Sequence, residues 1–394
     1  MASLGIQFIV VRSLTVQEAS DLISCITVVL LINLTIFVPF EVVGPSFAYR
    51  IGSRFALSVS AFILSLIGLL PSGFFALLVT ELSPSRVLVL LVLYVSLSLN
   101  FAVRLLLICG GHFQRLATGN GVGLLVSAAT AGVFAIQEAP QIETILITYV
   151  SYSLGLPLFA ALRYRNWTAL SMKTKAKQTF ETLRNADLYR LLFGNFLVTL
   201  CGRLLATGSI VFGPFFKLDS SRILEFSQIV ILARLPVEFL GSTLAPLNLH
   251  IHRVGTKSGA ARARLVTLYF QIFFFFTSLV IAVFFFFFGG KIYELWTGSV
   301  PATGSLGIAM TAFTLALPLS ASPLRFLLTA FGGIRHLVKL SILGIAGFSV
   351  TLLVLRHRGL VVLPQFGGAL AFTTTAMFLA SRVRLSNSSE FESR

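Results

Sequence analysis

The chain has 394 residues, of which 56% are hydrophobic and 11% charged, with a mean hydropathy of +0.92. A soluble domain carries about 25% charged residues, and half that share cannot coat a globule of this size. A soluble enzyme and a disordered chain are excluded, and a multi-span membrane protein is expected.

Met1 to Val11 is apolar but lacks a basic n-region and a small-residue cleavage site, so no cleavable signal is expected. It is too short to cross a bilayer and reads as the second half of a helix ending at Arg12. A hydrocarbon core of roughly 30 Å needs about 20 helical residues. Charge-free runs at 22–40, 55–80, 87–103, 116–137 and 144–162 each fit one crossing. After a basic stretch come 191–216, interrupted by Arg203, and 226–252, interrupted by Arg234 and Glu238. Then follow 265–290, a run leading into Arg325, 340–355 and 360–381. The expected design is therefore twelve helices, eleven complete and the first truncated. Within 265–290, Phe273–Phe276 and Phe284–Phe288 carry no charge and are expected to face lipid.

The basic stretch contains Lys173, Lys175, Lys177 and Arg184 and falls near the middle of the spans. It reads as a cytoplasmic connector lying on anionic headgroups. The expected domains are an N-terminal lobe (1–163), this linker (164–188) and a C-terminal lobe (189–394). An internal echo supports two lobes. Tyr49-Arg50-Ile51-Gly52-Ser53 and His252-Arg253-Val254-Gly255-Thr256 lie 203 residues apart, each after an apolar helix with a late proline, Pro45 or Pro246. Similar entries precede them, Glu18-Ala-Ser-Asp21 and Glu225-Phe-Ser-Gln228, which suggests duplicated units.

The formal net charge of +16, from 30 Lys+Arg against 14 Asp+Glu, would suggest nucleic acid in a soluble protein. Sorted by loop, 19 of the 30 basic residues fall on one side and 7 on the other. The richer side is cytoplasmic by the positive-inside rule, with both termini inside. The excess thus reports topology, and no nucleic-acid partner is expected.

Arg104, Arg203, Arg234, Arg325 and Glu238 resist placement in loops, while Glu41 and Asp21 read as lying near helix ends. Arginine near a helix centre costs at least about 2.5–3.5 kcal/mol on insertion scales and usually faces a bundle interior or wet cavity. Arg234 and Glu238 share a helix face, and either a self-neutralising pair or a functional one fits. Arg203 has no local acid. Arg325 follows Pro318 and Pro323, where a kink would let backbone groups line a cavity. Arg104 fits a snorkelling residue as well as a cavity residue. Four cations against one anion call for an anionic partner, and phosphate accepts bidentate arginine contacts.

Other signals are thin. Gly119-Asn-Gly-Val-Gly123 has no Walker lysine and reads as close helix packing. His250 and His252 lack further ligands, and Cys25, Cys109 and Cys201 stand far apart, so no metal, disulfide framework or cofactor is expected. Asn166-Trp-Thr168 is a sequon in form, on the expected cytoplasmic side. No catalytic set is present in the sequence, so the chain is not expected to be an enzyme.

Phe8-Ile-Val-Val-Arg12-Ser-Leu-Thr-Val-Gln-Glu18, Arg50 to Arg54, Ala233-Arg-Leu-Pro236 within Glu225–Pro246, and Thr329-Ala-Phe-Gly-Gly-Ile-Arg335 resemble one family. It is the bacterial polysaccharide-exporter flippases of the multidrug/oligosaccharidyl-lipid/polysaccharide superfamily. The resemblance covers nearly the whole chain through degenerate motifs, and the truncated first helix departs from it. It implies an all-α integral membrane protein with two six-helix lobes around a central cavity, in the bacterial plasma membrane. It implies alternating-access export of polyprenyl-(pyro)phosphate-linked saccharide, by a monomer among membrane lipids and glycan-assembly enzymes. On this reading Arg203, Arg234 and Arg325 contact the phosphate, Arg50 and Arg253 stand at the cytoplasmic mouth, and Glu238 pairs or couples. Three alternatives stay open: a cation-coupled small-molecule exporter, a membrane glycosyltransferase or polymerase of the same pathway, and a non-transporting membrane partner.

Overall fold

A helix in water hides its apolar stripe; the helix at residues 260–297 does the reverse. In the computed structural model its buried seam is Ala263, Thr267, Gln271, Phe274, Ser278, Ile281, Phe285, Gly289 and Tyr293, spaced by three or four residues. That seam carries hydroxyls and an amide, while the uncovered flanks are Leu265, Tyr269, Phe273, Phe276, Phe284 and Phe287. Phe287 is 66% exposed and its neighbour Phe285 3%. Large apolar rings turned outward around a polar seam are stable only where the solvent is hydrocarbon.

The structure describes residues 14–51, 54–79, 83–135, 142–163, 178–179, 181–182, 184–213, 219–241, 243–331, 333–355 and 363–382. The expected half-helix at the N-terminus, the sequon and most of the basic linker lie outside them. The described elements are all helical: α1 (Val16–Ile51), α2 (Arg54–Leu66), α3 (Leu69–Val79), α4 (Pro84–Cys109), α5 (Phe113–Ala135) and α6 (Ile142–Arg163). They continue with α7 (Ala186–Phe212), α8 (Ser220–Gly241), α9 (Leu244–Ser258), α10 (Ala260–Thr297) and α11 (Gly304–Ala316). A 3₁₀ turn (Leu317–Ala321) leads into α12 (Ser322–Ala330), followed by α13 (Ile334–Leu355) and α14 (Leu363–Arg382). Among the described residues, eight helical stretches are long and apolar enough to cross a membrane. The chain is a multi-pass membrane protein.

Local chemistry accounts for the breaks. Pro84 opens α4, where its missing N–H costs nothing. Gly298 ends α10 at φ 76, and its N–H returns to the Glu294 carbonyl at 2.8 Å; a side chain there would be strained. The expected kink near Pro318 and Pro323 is the 3₁₀ turn. There the carbonyl of Leu317 accepts the hydroxyls of Ser320 at 2.7 Å and of Thr373 in α14 at 3.3 Å. A backbone acceptor at a break in a helix inside a membrane must find such donors.

The chain divides into two compact units, Met1–Leu192 and Phe193–Arg394. In the first, α4 packs against α1, α2, α3, α5 and α6; α1 packs on α2 and α3, and α5 on α6. The second repeats this order: α8 and α9 stand for α1, α10 for α2 with α3, α11 with α12 for α4, α13 for α5, and α14 for α6. Each neighbour pair of the first unit has its counterpart in the second.

The glycines expected to pack helices do so. A Cβ on Gly119 would meet Leu156 at 2.3 Å, and one on Gly123 the carbonyl of Tyr152 at 2.7 Å. On the facing helix, a Cβ on Gly155 would lie 2.1 Å from the Cα of Gly123. Helices α5 and α6 touch backbone to backbone, which only glycine allows. In unit 2, a Cβ on Gly347 would meet Ala371 at 2.9 Å and the Gly368 Cα at 3.3 Å, joining α13 to α14 in the same way.

Helix ends expected on one side of the bilayer lie together. Arg86 at the start of α4 donates to Glu143 at the start of α6, at 2.7 Å. In unit 2, Glu225 near the start of α8 accepts from the backbone N and the hydroxyl of Thr303 before α11, both at 3.0 Å.

Candidate functional site

In α7 four polar residues recur every four positions, Asn195, Thr199, Arg203 and Thr207, and so line one face of the helix. Asn185 sets the register by accepting the N–H of Leu188 at 3.0 Å as an N-cap. In α12, Arg325 and Thr329 likewise share a face. The two faces meet within unit 2. Nε of Arg325 donates to Oδ1 of Asn195 at 2.8 Å, and Nη2 donates to Oγ1 of Thr199 at 2.8 Å and to the Asn195 carbonyl at 3.2 Å. The amide of Asn195 also donates to Thr329 Oγ1 at 3.2 Å.

Asn195 is fully buried and Thr199 nearly so. Arg325 is half-buried, fixed by three bonds to neutral acceptors, and makes no ion pair among the described residues. Arg203, one turn beyond Thr199 and half-buried, stands close enough for its charge to act on Arg325. Two guanidiniums therefore share a small region of the interior. One of them is oriented by dipoles rather than neutralised by a carboxylate. Such a site retains a buried positive charge.

The other expected residues divide. Arg234 and Glu238 pair along α8, Nε to Oε1 at 3.3 Å, beside Pro236 within the helix. Arg253 is exposed on α9. Arg50 belongs to the last turn of α1, and its side chain lies outside the described residues.

The tally of intramembrane charges needs correction. Glu41 does not lie at a helix end, because α1 continues ten residues beyond it to Ile51. Its carboxylate meets Arg104 of α4, with Oε1 2.9 Å from Nε, so Arg104 is an ion-paired residue. The charge-free run had stopped at Glu41 itself, whereas the helix tolerates the acid through this partner. Among the described residues, Glu41 thus pairs with Arg104 and Glu238 with Arg234.

Sequence reasoning missed Asn195 and Thr199. Their four-residue spacing with Arg203 was the available signal. Among the described residues no cluster of His, Cys, Asp and Glu is composed to hold a metal.

No family model matches the chain, and no curated protein does. Solved structures do. The MATE transporter VcmN of Vibrio cholerae, in a mutant form, aligns with a TM-score of 0.66 at 15% identity, over 96% of this chain and 91% of that one. The eukaryotic MATE transporter AtDTX14 aligns with a TM-score of 0.67 at 11% identity, over 97% and 91%. A MOP superfamily transporter of Pyrococcus furiosus aligns with a TM-score of 0.63 at 13% identity, over 97% and 95%. At these identities the likeness is one of fold, and that fold extends over nearly the whole chain.

Proposed function

We propose that this chain is a transporter, not an enzyme, that moves polyprenyl-(pyro)phosphate-linked saccharide across the bacterial plasma membrane by alternating access. A cationic cavity takes the phosphate and sugar head while the lipid tail stays in the bilayer. The observation that carries the reading is Arg325, held by Asn195 and Thr199 without a carboxylate and with Arg203 beside it. A phosphate supplies the missing negative charge and accepts the remaining guanidinium protons. Arg234, Arg50 and Arg253 are further contacts on this reading, with Arg50 and Arg253 at the cytoplasmic mouth and both termini inside. On this reading the repeated packing plan reflects two lobes of like helices. The Pyrococcus furiosus relative is described as having a binding pocket of reversed polarity that suggests a different function. This supports the view that pocket charge, rather than fold, sets the cargo.

The test is complementation of a flippase-deficient strain. Arg325→Gln and Arg203→Gln are expected to abolish it at normal membrane levels, and export retained by both variants would end the phosphate assignment.

A second reading, a cation-coupled small-molecule exporter, is favoured by the fold shared with a multidrug resistance MATE family transporter. Loss of proton-dependent dye efflux in Glu238→Gln vesicles would select it.

A further inference from the structure

The ion pair of unit 1 is incompletely made. Nε of Arg104 and Oε1 of Glu41 are 2.9 Å apart, yet both atoms are buried and neither has an aligned hydrogen bond. The bond that does form, Nη2 to Oε2, is 3.3 Å long. A guanidinium and carboxylate joined for structure alone take short, aligned, often parallel bonds. Exposure is lopsided too: the Glu41 side chain is 14% uncovered and that of Arg104 41%. The cation has an open side and unused protons, whereas the acid is enclosed.

The repeated packing plan gives this pair a meaning. Arg104 lies at nearly the same distance along α4 as Arg325 does along the equivalent stretch of α11 and α12. Both units thus place a guanidinium at one position of their central rod. The register that matches Arg50 to Arg253 sets Leu244 against Glu41. Unit 2 supplies neutral acceptors to its arginine, and unit 1 alone supplies an acid.

We propose that Arg104 is a second anion-binding residue, masked by Glu41, and that a phosphate group displaces the carboxylate to reach it. The inference rests on the anionic cargo proposed above and adds a specificity-determining acid to it. A tethered carboxylate that competes with the ligand lowers affinity, and lower affinity speeds release, which a transporter needs at the far side. Its imperfect hydrogen bonding makes the exchange inexpensive, since few aligned bonds are lost when the phosphate arrives.

The experiment measures binding of geranylgeranyl diphosphate to the full-length protein in nanodiscs, with uncharged geranylgeraniol as control. Glu41→Gln is expected to bind the diphosphate about tenfold more tightly, the effect of removing one competing charge-assisted contact. Arg104→Gln is expected to bind it about tenfold more weakly than the native chain. The double variant should match Arg104→Gln, because Glu41 acts only through Arg104. Native-like affinity in Glu41→Gln, or a double variant tighter than Arg104→Gln, overturns the masking. If Glu41→Gln does not fold, Arg104→Lys and Arg104→Gln are compared instead. Lysine should retain binding and glutamine lose it, and equal affinity in both overturns the proposal. Native binding that is lost in Arg325→Gln but unchanged in Glu41→Gln removes the masking and leaves the cargo reading intact. Diphosphate bound no better than geranylgeraniol by every variant removes the cargo reading itself.

Discussion

Asn195→Asp separates a structural role for the Arg325 cradle from a binding role. The substitution exchanges one amide nitrogen for oxygen and leaves volume and helix register unchanged. Oδ1 already lies 2.8 Å from Arg325 Nε, so a carboxylate at this position forms an ion pair without movement. With charge centres about 4 Å apart and an effective dielectric constant near 20, the attraction is about 4 kcal/mol before desolvation is charged against it. Even half of that, about 2 kcal/mol, lowers anion affinity more than tenfold, because an incoming phosphate must compete with a fixed acid. The amide proton that Asn195 donates to Thr329 at 3.2 Å is lost, at a cost of about 1 kcal/mol. Stability should therefore change little or rise. The expected outcome is a melting temperature within a few degrees of the native protein, diphosphate binding at least tenfold weaker, and failed complementation. A folded Asn195→Asp protein that binds and complements normally would refute the view that the cradle keeps Arg325 free for an anion.

Three further outcomes are expected. Gly155→Leu should fail to accumulate in the membrane or should melt several degrees lower, since its first side-chain carbon meets the Gly123 backbone at 2.1 Å and forced separation of packed helices costs about 1–3 kcal/mol or more. Fluorescence-detected size exclusion reads this directly. Gln271 is fully buried, and neither amide atom has a hydrogen-bond partner among the described residues; Gln271→Leu should leave the melting temperature unchanged or raise it, and a drop accompanied by lost transport would show that the amide holds cargo or water. A fluorophore on Phe287→Cys should be quenched by spin-labelled lipid, and one on Ser278→Cys, from the buried seam of the same helix, should not; equal quenching would contradict the lipid-facing assignment.

The rods were legible in the sequence because a bilayer imposes one strong rule, an apolar run of about 20 residues. The expected runs from 22–40 to 360–381 fall on helical segments, but 55–80 and 226–252 each divide into two helices, and the prolines at 318 and 323 marked a further break. Gly119 and Gly123 announced the α5–α6 contact through their spacing. Charge-free runs misjudged helix length, however, as at Glu41. The rule reads an acid as an end, whereas an acid met by an arginine 63 positions away can sit inside. Asn195 and Thr199 were illegible for a related reason. Neutral polar residues are inexpensive enough in a helix bundle to be common, so their presence carries little information until a partner is seen.

What distinguishes a binding charge from a structural one in such a chain is how far its partner leaves it open rather than its depth. Arg86, Arg104, Arg234 and Arg325 all engage polar neighbours. Three meet carboxylates, and of these Arg104 keeps an open side. Arg325 meets an amide, a hydroxyl and a carbonyl, which fix its direction while leaving its full charge. The desolvation already spent on burying that guanidinium is recovered only when an anion arrives. If the anion binds one conformation better than another, that difference in affinity is the driving force available to a change of conformation.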